Sequence, residues 1–141
     1  MDSEAKDLIS DILSETGTKV DMVPLSPGVS MTGTGEVNRS RVTISNEKGS
    51  FTFVHYESGY NMLYGERDDG TDIFISAILD AQIVGTGISF EDYCEENGYD
   101  EDGKELAKKT YDGLMKANTK LRSMFEDDVY SHLCRLAEET V

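Results

Sequence analysis

The spacing of apolar residues changes once along this chain, and no other feature narrows its fold so far. From Arg41 to Tyr56 the period is two: Val42 and Ile44 alternate with Thr43 and Ser45, and Phe51 and Phe53 alternate with Thr52 and Val54. Successive side chains of a strand point to opposite faces, so this pattern predicts two half-buried strands. Between them "NEKG" puts Asn46 at the first and Gly49 at the last position of a type I turn, which predicts a β-hairpin. A third short strand is expected at Tyr60–Tyr64, ended by the turn "GERDDG".

From Asp72 onward the apolar spacing becomes three and four, the period of helices that bury one face. Asp72 can cap a run in which Ile73, Phe74, Ala77, Ile78, Ala81 and Val84 share a side, stopped by Gly85. Ser89, three residues before Asp92, predicts the start of a short helix with Phe90, Tyr93 and Cys94 inward and Gly98 at its end. Asp102 and Glu105 predict the start of a long helix to about Phe125, with Ala107, Tyr111, Leu114, Asn118, Leu121 and Phe125 along one seam. An asparagine in such a seam fixes register or a homodimer, or makes a core hydrogen bond within the monomer. A last helix is expected to bury Val129, Leu133, Leu136 and Ala137. At the other end, Ala5, Leu8, Ile9, Ile12 and Leu13 predict a helix over residues 3–15, with Gly17 just beyond. Residues 16–36 hold both prolines and four glycines, and read as an extended loop. Helix, loop, β-meander, then helices is an α+β order, and 141 residues suit a single domain spanning 1–141.

The formal charge is -15, and it is unevenly placed. Residues 66–102 carry twelve acids against Arg67 alone, whereas residues 103–125 carry six bases and two acids. So negative a surface repels nucleic acid and anionic membranes and accelerates encounter with basic partners. No apolar run approaches the roughly 18 residues a membrane span needs, and the first ten residues lack a signal-peptide pattern, so the expected location is the cytoplasm. Cys94 and Cys134, forty residues apart, form neither a disulfide framework nor a zinc pattern and are expected to be buried thiols.

The densest charge lies in "FEDYCEENGYDED", with Glu91, Asp92, Glu95, Glu96, Asp100, Glu101 and Asp102 and no basic residue. A calcium loop fails on spacing: aligning Gly103 with the loop's invariant glycine puts Lys109 where a bidentate glutamate is required. Acid-base catalysis would need one carboxyl desolvated, whereas these fall on the outward side of a helix whose inward side is aromatic. His55 and His132 stand in different elements, and no nucleophile, dinucleotide or phosphate-loop motif is present, so no catalytic residue, metal or cofactor is assigned. Lys104, Lys108, Lys109, Lys116, Lys120 and Arg122 are expected to pair with neighbouring acids on the outer face of the long helix.

The hairpin "VTISNEKGSFTF", the run "TDIFISAILD" and the stretch from Phe90 to Phe125 together resemble a family of small phage and mobile-element proteins. Their pattern is Phe-Glu-acid-aromatic-Cys, an acidic stretch, Gly-Tyr-Asp-x-Asp-Ser, and a helix ending in a Leu-Arg-x-Leu/Met-Phe motif. Phe90, Glu91, Asp92, Tyr93, Cys94, Gly98, Tyr99, Asp100, Asp102 and Leu121 to Phe125 match it over about residues 40–125, and Gly103 departs from it, standing where that family more often has Ser. The resemblance implies a phage setting and, by analogy, an anti-CRISPR-like inhibitor of a bacterial defence nuclease in the host cytoplasm. Its partner would be a basic, nucleic-acid-binding protein such as a CRISPR effector. The expected binding residues are the seven acids of 91–102, extended by Asp68, Asp69 and Asp72, which would mimic DNA on a monomer or a homodimer. The alternative is a small acidic interaction or assembly domain that binds through an apolar surface without DNA mimicry.

Overall fold

The computed structural model describes residues 3–26, 28–29, 36–56, 69–85, 87–96 and 98–140. In it the alternating segment forms the predicted hairpin, β4 (Arg39–Asn46) with β5 (Gly49–Tyr56), antiparallel and in the register Val42↔Phe53 and Ile44↔Phe51. Val42 and Ile44 are fully buried, and the Phe51 and Phe53 rings stack beside them at 5.6 Å. On the other face Thr43 and Thr52 hydroxyls meet at 3.1 Å. The turn residues Glu47 and Lys48 keep negative φ, as a type I turn needs. Asn46 organises it: its Oδ1 accepts from the Lys48 amide at 2.9 Å, and its Nδ2 donates to the Met124 carbonyl at 2.9 Å.

A further strand, β1 (Lys19–Pro24), pairs antiparallel with the far side of β4, giving the order β1-β4-β5. This corrects the reading of 16–36 as a loop. Only Val20 of β1 is even half-buried, so the strand is held through its backbone and has no apolar alternation to announce it. Two-residue strands β2 (Gly28–Val29) and β3 (Glu36–Val37) pair within the same segment. The strand expected at Tyr60–Tyr64 lies outside the described residues.

The helices are α1 (Ser3–Glu15), α2 (Gly70–Gly85), α3 (Phe90–Glu96), a 3-10 turn (Glu101–Gly103), α4 (Lys104–Met124) and α5 (Asp127–Glu139). The class is α+β, with a long helix in the C-terminal half. At its centre stands α2, in contact with α1, α4, α5 and β1. Ile73, Phe74, Ile75, Ile78, Ala81 and Val84 are all buried, so this helix covers more than one face, as one surrounded by neighbours must. Ala5, Ile9 and Leu13 form one buried row on α1, while Leu8, expected inward, is 42% exposed. α5 buries Tyr130 and Cys134 besides the expected Leu133, Leu136 and Ala137, and Val129 is half-buried. Both cysteines are buried free thiols.

The seam of α4 is only partly what its spacing predicts. Ala107, Leu121 and Met124 are buried, but Tyr111, Leu114 and Asn118 are half-buried. Asn118 makes a hydrogen bond within the monomer: the Tyr130 hydroxyl donates to its Oδ1 at 3.1 Å. Burial pushes the Tyr130 phenol up to about 12, with the Arg122 guanidinium over its ring pulling the other way. It therefore stays a neutral donor.

Candidate functional site

The acidic stretch is built on an aromatic base. α3 begins where Ser89 Oγ accepts the Asp92 amide at 3.1 Å. It ends on Gly98 at φ 73, with the Tyr99 amide donating to the Cys94 carbonyl and the Gly98 amide to the Glu95 carbonyl. These two bonds are a Schellman closure, which needs the left-handed conformation glycine adopts freely. Inward, Tyr93 lies 5.4 Å from Tyr111 and 6.1 Å from Tyr99, and Phe90 meets Tyr111 edge-on at 5.6 Å. The Tyr111 hydroxyl donates to the Ile88 carbonyl at 2.7 Å, locking the loop before α3 onto α4.

This anchoring leaves the carboxylates outside. Glu91, Asp92, Glu95, Glu96, Asp100, Glu101 and Asp102 are all exposed. Among the described residues only Glu101 has an ion-pair partner, Lys104 at 2.8 Å. Asp100 also has a structural duty, since its Oδ1 accepts the Gly103 amide at 3.0 Å and so caps the 3-10 turn leading into α4. The predicted Asp102 cap is not formed: the N-cap of α4 is Gly103, without a side-chain bond, and the capping side chain is Asp100, one step earlier on the 3-10 turn.

The expected extension of this surface is not available as drawn. Asp69 Oδ1 accepts the Asp72 amide at 2.9 Å and Asp72 Oδ2 accepts the Asp69 amide at 3.2 Å, a reciprocal capping box that starts α2. Asp72 is therefore the third helical residue rather than the cap. Lys6 lies 3.0 Å from both carboxylates. Partial burial acts to raise the Asp69 carboxyl, but the Asp72 amide and Lys6 outweigh it and hold it below the usual range. Both acids sit at the end of α2 away from the loop into α3, and both are already occupied. Asp68 lies outside the described residues.

The basic residues of α4 divide. Lys108 pairs with Asp112 at 3.2 Å and lies over the Phe90 and Tyr111 rings, and Arg122 lies over Tyr130. Lys109, Lys116 and Lys120 have no ion-pair partner among the described residues, contrary to the expected pairing. Two of these three border a groove of about 770 Å³ between β5 and α4, floored by Ser76, Ala77 and Asp80 of α2. Asp80 as a whole is exposed, but partial desolvation by the groove walls raises its carboxyl above its ordinary value, partly offset by His55 on the facing strand.

Among the described residues no three His, Cys, Asp or Glu side chains converge as metal ligands would, and no helix is long and apolar enough to cross a membrane. No family model, curated protein or solved structure matches the chain. The groove escaped the sequence reading because three elements far apart in the chain make it. The one local signal was Gly113, a glycine inside a helical pattern.

Proposed function

We propose that this protein is a stoichiometric inhibitor whose acidic face, Glu91 to Asp102, occupies a basic nucleic-acid-binding groove on another protein. The observation that carries the reading is the set of seven exposed carboxylates on a base closed by Gly98 and Asp100, only one of them ion-paired among the described residues. Glu91 with Glu95, and Asp92 with Glu96, stand four residues apart on α3, a spacing of about 5–6 Å that makes a short row of negative charge. Such a row speeds encounter with a basic groove and selects it by charge, and its grip weakens with salt. The resemblance to small phage and mobile-element proteins makes a bacterial defence nuclease, a CRISPR effector in particular, the first partner to test. The setting would be the host cytoplasm.

The test is capture from bacterial lysate at low and at high salt, with the wild type and with the triple variant Glu95→Lys, Glu96→Lys, Asp102→Lys. Asp100 is left in place because it caps. The expected result is a nucleic-acid-binding protein recovered at low salt, released at high salt and lost in the variant. Its DNA binding should fall as the wild type is added. A partner that tolerates salt and still binds the charge-reversed variant would overturn the proposal.

A further inference from the structure

Phe51 and Phe53 face the core without being buried in it. In the hairpin register they stand opposite Ile44 and Val42, which are fully buried, so all four side chains project to the inner side of the sheet. Yet both rings are only half-buried, and so are Ala77 of α2 and Leu114 and Ala117 of α4. These five side chains line the groove of about 770 Å³ that runs between the inner side of β5, α4 and α2. Protein interiors are close-packed with few voids larger than a water molecule, whereas sites for small ligands are mostly apolar clefts of about 300–1,000 Å³. By size and lining this seam matches the second.

The two ends of the groove differ in chemistry. β5 begins where α4 ends: a Cβ on Gly49, the first residue of β5, would lie 3.5 Å from Met124, the last of α4. Ser50 and Lys120 therefore share one end, with Lys116 a turn away, and His55 and Thr110 share the other, about 15 Å along the helix. Lys116 and Lys120 are exposed and pair with no carboxylate among the described residues. At the opposite end Asp80, partly desolvated and close enough to interact with His55, brings a polar carboxyl to the floor. Between the ends Gly113 leaves the α4 wall bare, since a Cβ placed on it would meet nothing within 4 Å. A glycine inside a helix weakens it relative to alanine, and here no close neighbour requires one. What it provides is width in the groove.

We propose that this groove binds a free medium-chain fatty acid, its carboxylate at Lys116 and Lys120, its chain along Phe51, Phe53 and Ala117, and its methyl end short of Asp80. A slim, flexible apolar chain suits a slot walled by a strand and two helices. One carboxylate suits two lysines that no acid among the described residues neutralises, and the bonds they donate to it are charge-assisted. Asp80 limits the length. A chain long enough to reach it strips water from a polar carboxyl and gives it no hydrogen bond in return, which lowers affinity.

The proposal does not depend on the acidic face, and the test separates the two. The full chain is titrated by calorimetry with laurate, lauryl alcohol and palmitate, each below the concentration at which it aggregates. Laurate is expected to bind one to one and to shift the amide NMR signals of residues 50–55 and 110–120. The alcohol should bind at least about tenfold more weakly, as should laurate to the double variant Lys116→Glu, Lys120→Glu. Palmitate should also bind more weakly than laurate, and Asp80→Leu should close that gap. Gly113→Leu, which projects a side chain into the groove, should abolish binding without lowering the melting temperature. The Glu95→Lys, Glu96→Lys, Asp102→Lys variant should bind laurate as the wild type does. The proposal is overturned if laurate does not bind, if the alcohol or palmitate binds as tightly, or if binding survives Gly113→Leu. It is equally overturned if Gly113→Leu breaks up a dimer, since the groove would then be an interface between copies.

Discussion

Two glycines in helices show how much a single residue's surroundings decide. At Gly85, the end of α2, an added Cβ would lie 2.6 Å from Asn118 Oδ1, the acceptor of the Tyr130 hydroxyl. Gly85→Ala must therefore push Asn118 away and leave a half-buried hydrogen bond broken, a loss of about 1–3 kcal/mol. Gly113→Ala meets nothing and should instead stabilise by about 0.4–1 kcal/mol through helix propensity and a less disordered unfolded chain. Urea unfolding of both variants checks the opposite signs. Asp80 gives a prediction in pH. Because the groove walls partly desolvate the carboxyl of this otherwise exposed residue and lift it above the ordinary 3.8, the folded chain holds that proton more tightly than the unfolded one. Stability from this group is then full below the unfolded value and is lost as pH rises through the folded value. Near pH 7 the charged carboxylate is a burden, and Asp80→Asn should raise the melting temperature. That gain should shrink toward zero below about pH 4, with His55 damping but not reversing the trend. A gain that was the same at pH 4 and pH 7 would disprove it.

The elements differ in how openly the sequence displays them. β4, β5 and α2 follow from apolar spacing because β4 and α2 bury side chains at that spacing and β5 half-buries Phe51 and Phe53, and the spacing is the record of the burial. β1 leaves no such record: five of its six side chains are exposed, and its pairing with β4 runs through main-chain groups that every sequence possesses. The outward acids of α3 were legible for the opposite reason, since Phe90, Tyr93 and Cys94 define the inward side and Gly98 the end. Spacing could not show that Asp69 and Asp72 are engaged by Lys6, sixty-three residues from Asp69 in the chain. Spacing also overrates the middle of α4. Leu114 carries the seam's period but looks into the groove, while Leu121 is fully buried. Leu121→Ala should thus cost about 2–5 kcal/mol, because the core around it cannot close the cavity, and Leu114→Ala distinctly less. Thermal melts of the two variants side by side measure the difference. Equal losses would show that the α4–β5 side is closed rather than grooved.

At the scale of the whole molecule, charge and stability pull against each other. A net charge of -15 with a pI near 4.3 makes the folded chain repel itself, and the repulsion is strongest where carboxylates crowd on α3 and the turn after it. Local contacts do little to relieve it. The exposed Lys104–Glu101 pair contributes little, because solvent and salt screen it. Added salt screens such repulsion, so the wild type should melt at a higher temperature in 0.5 M sodium chloride, where the Debye length falls to roughly 4 Å, than in 0.01 M, where it is about 30 Å. Each acid-to-lysine reversal changes the charge by two, so Glu95→Lys, Glu96→Lys and Asp102→Lys together bring -15 to -9. That variant should melt above the wild type at low salt and approach it at high salt. If the acids serve a partner, the same three changes that stabilise the chain also abolish capture of the basic protein, as expected of a surface kept for binding at the expense of stability. Melting curves across the salt series, paired with the lysate capture, decide the matter. A variant no more stable than the wild type at low salt would mean that these carboxylates do not strain the fold, and the acidic face would lose the argument that function maintains it.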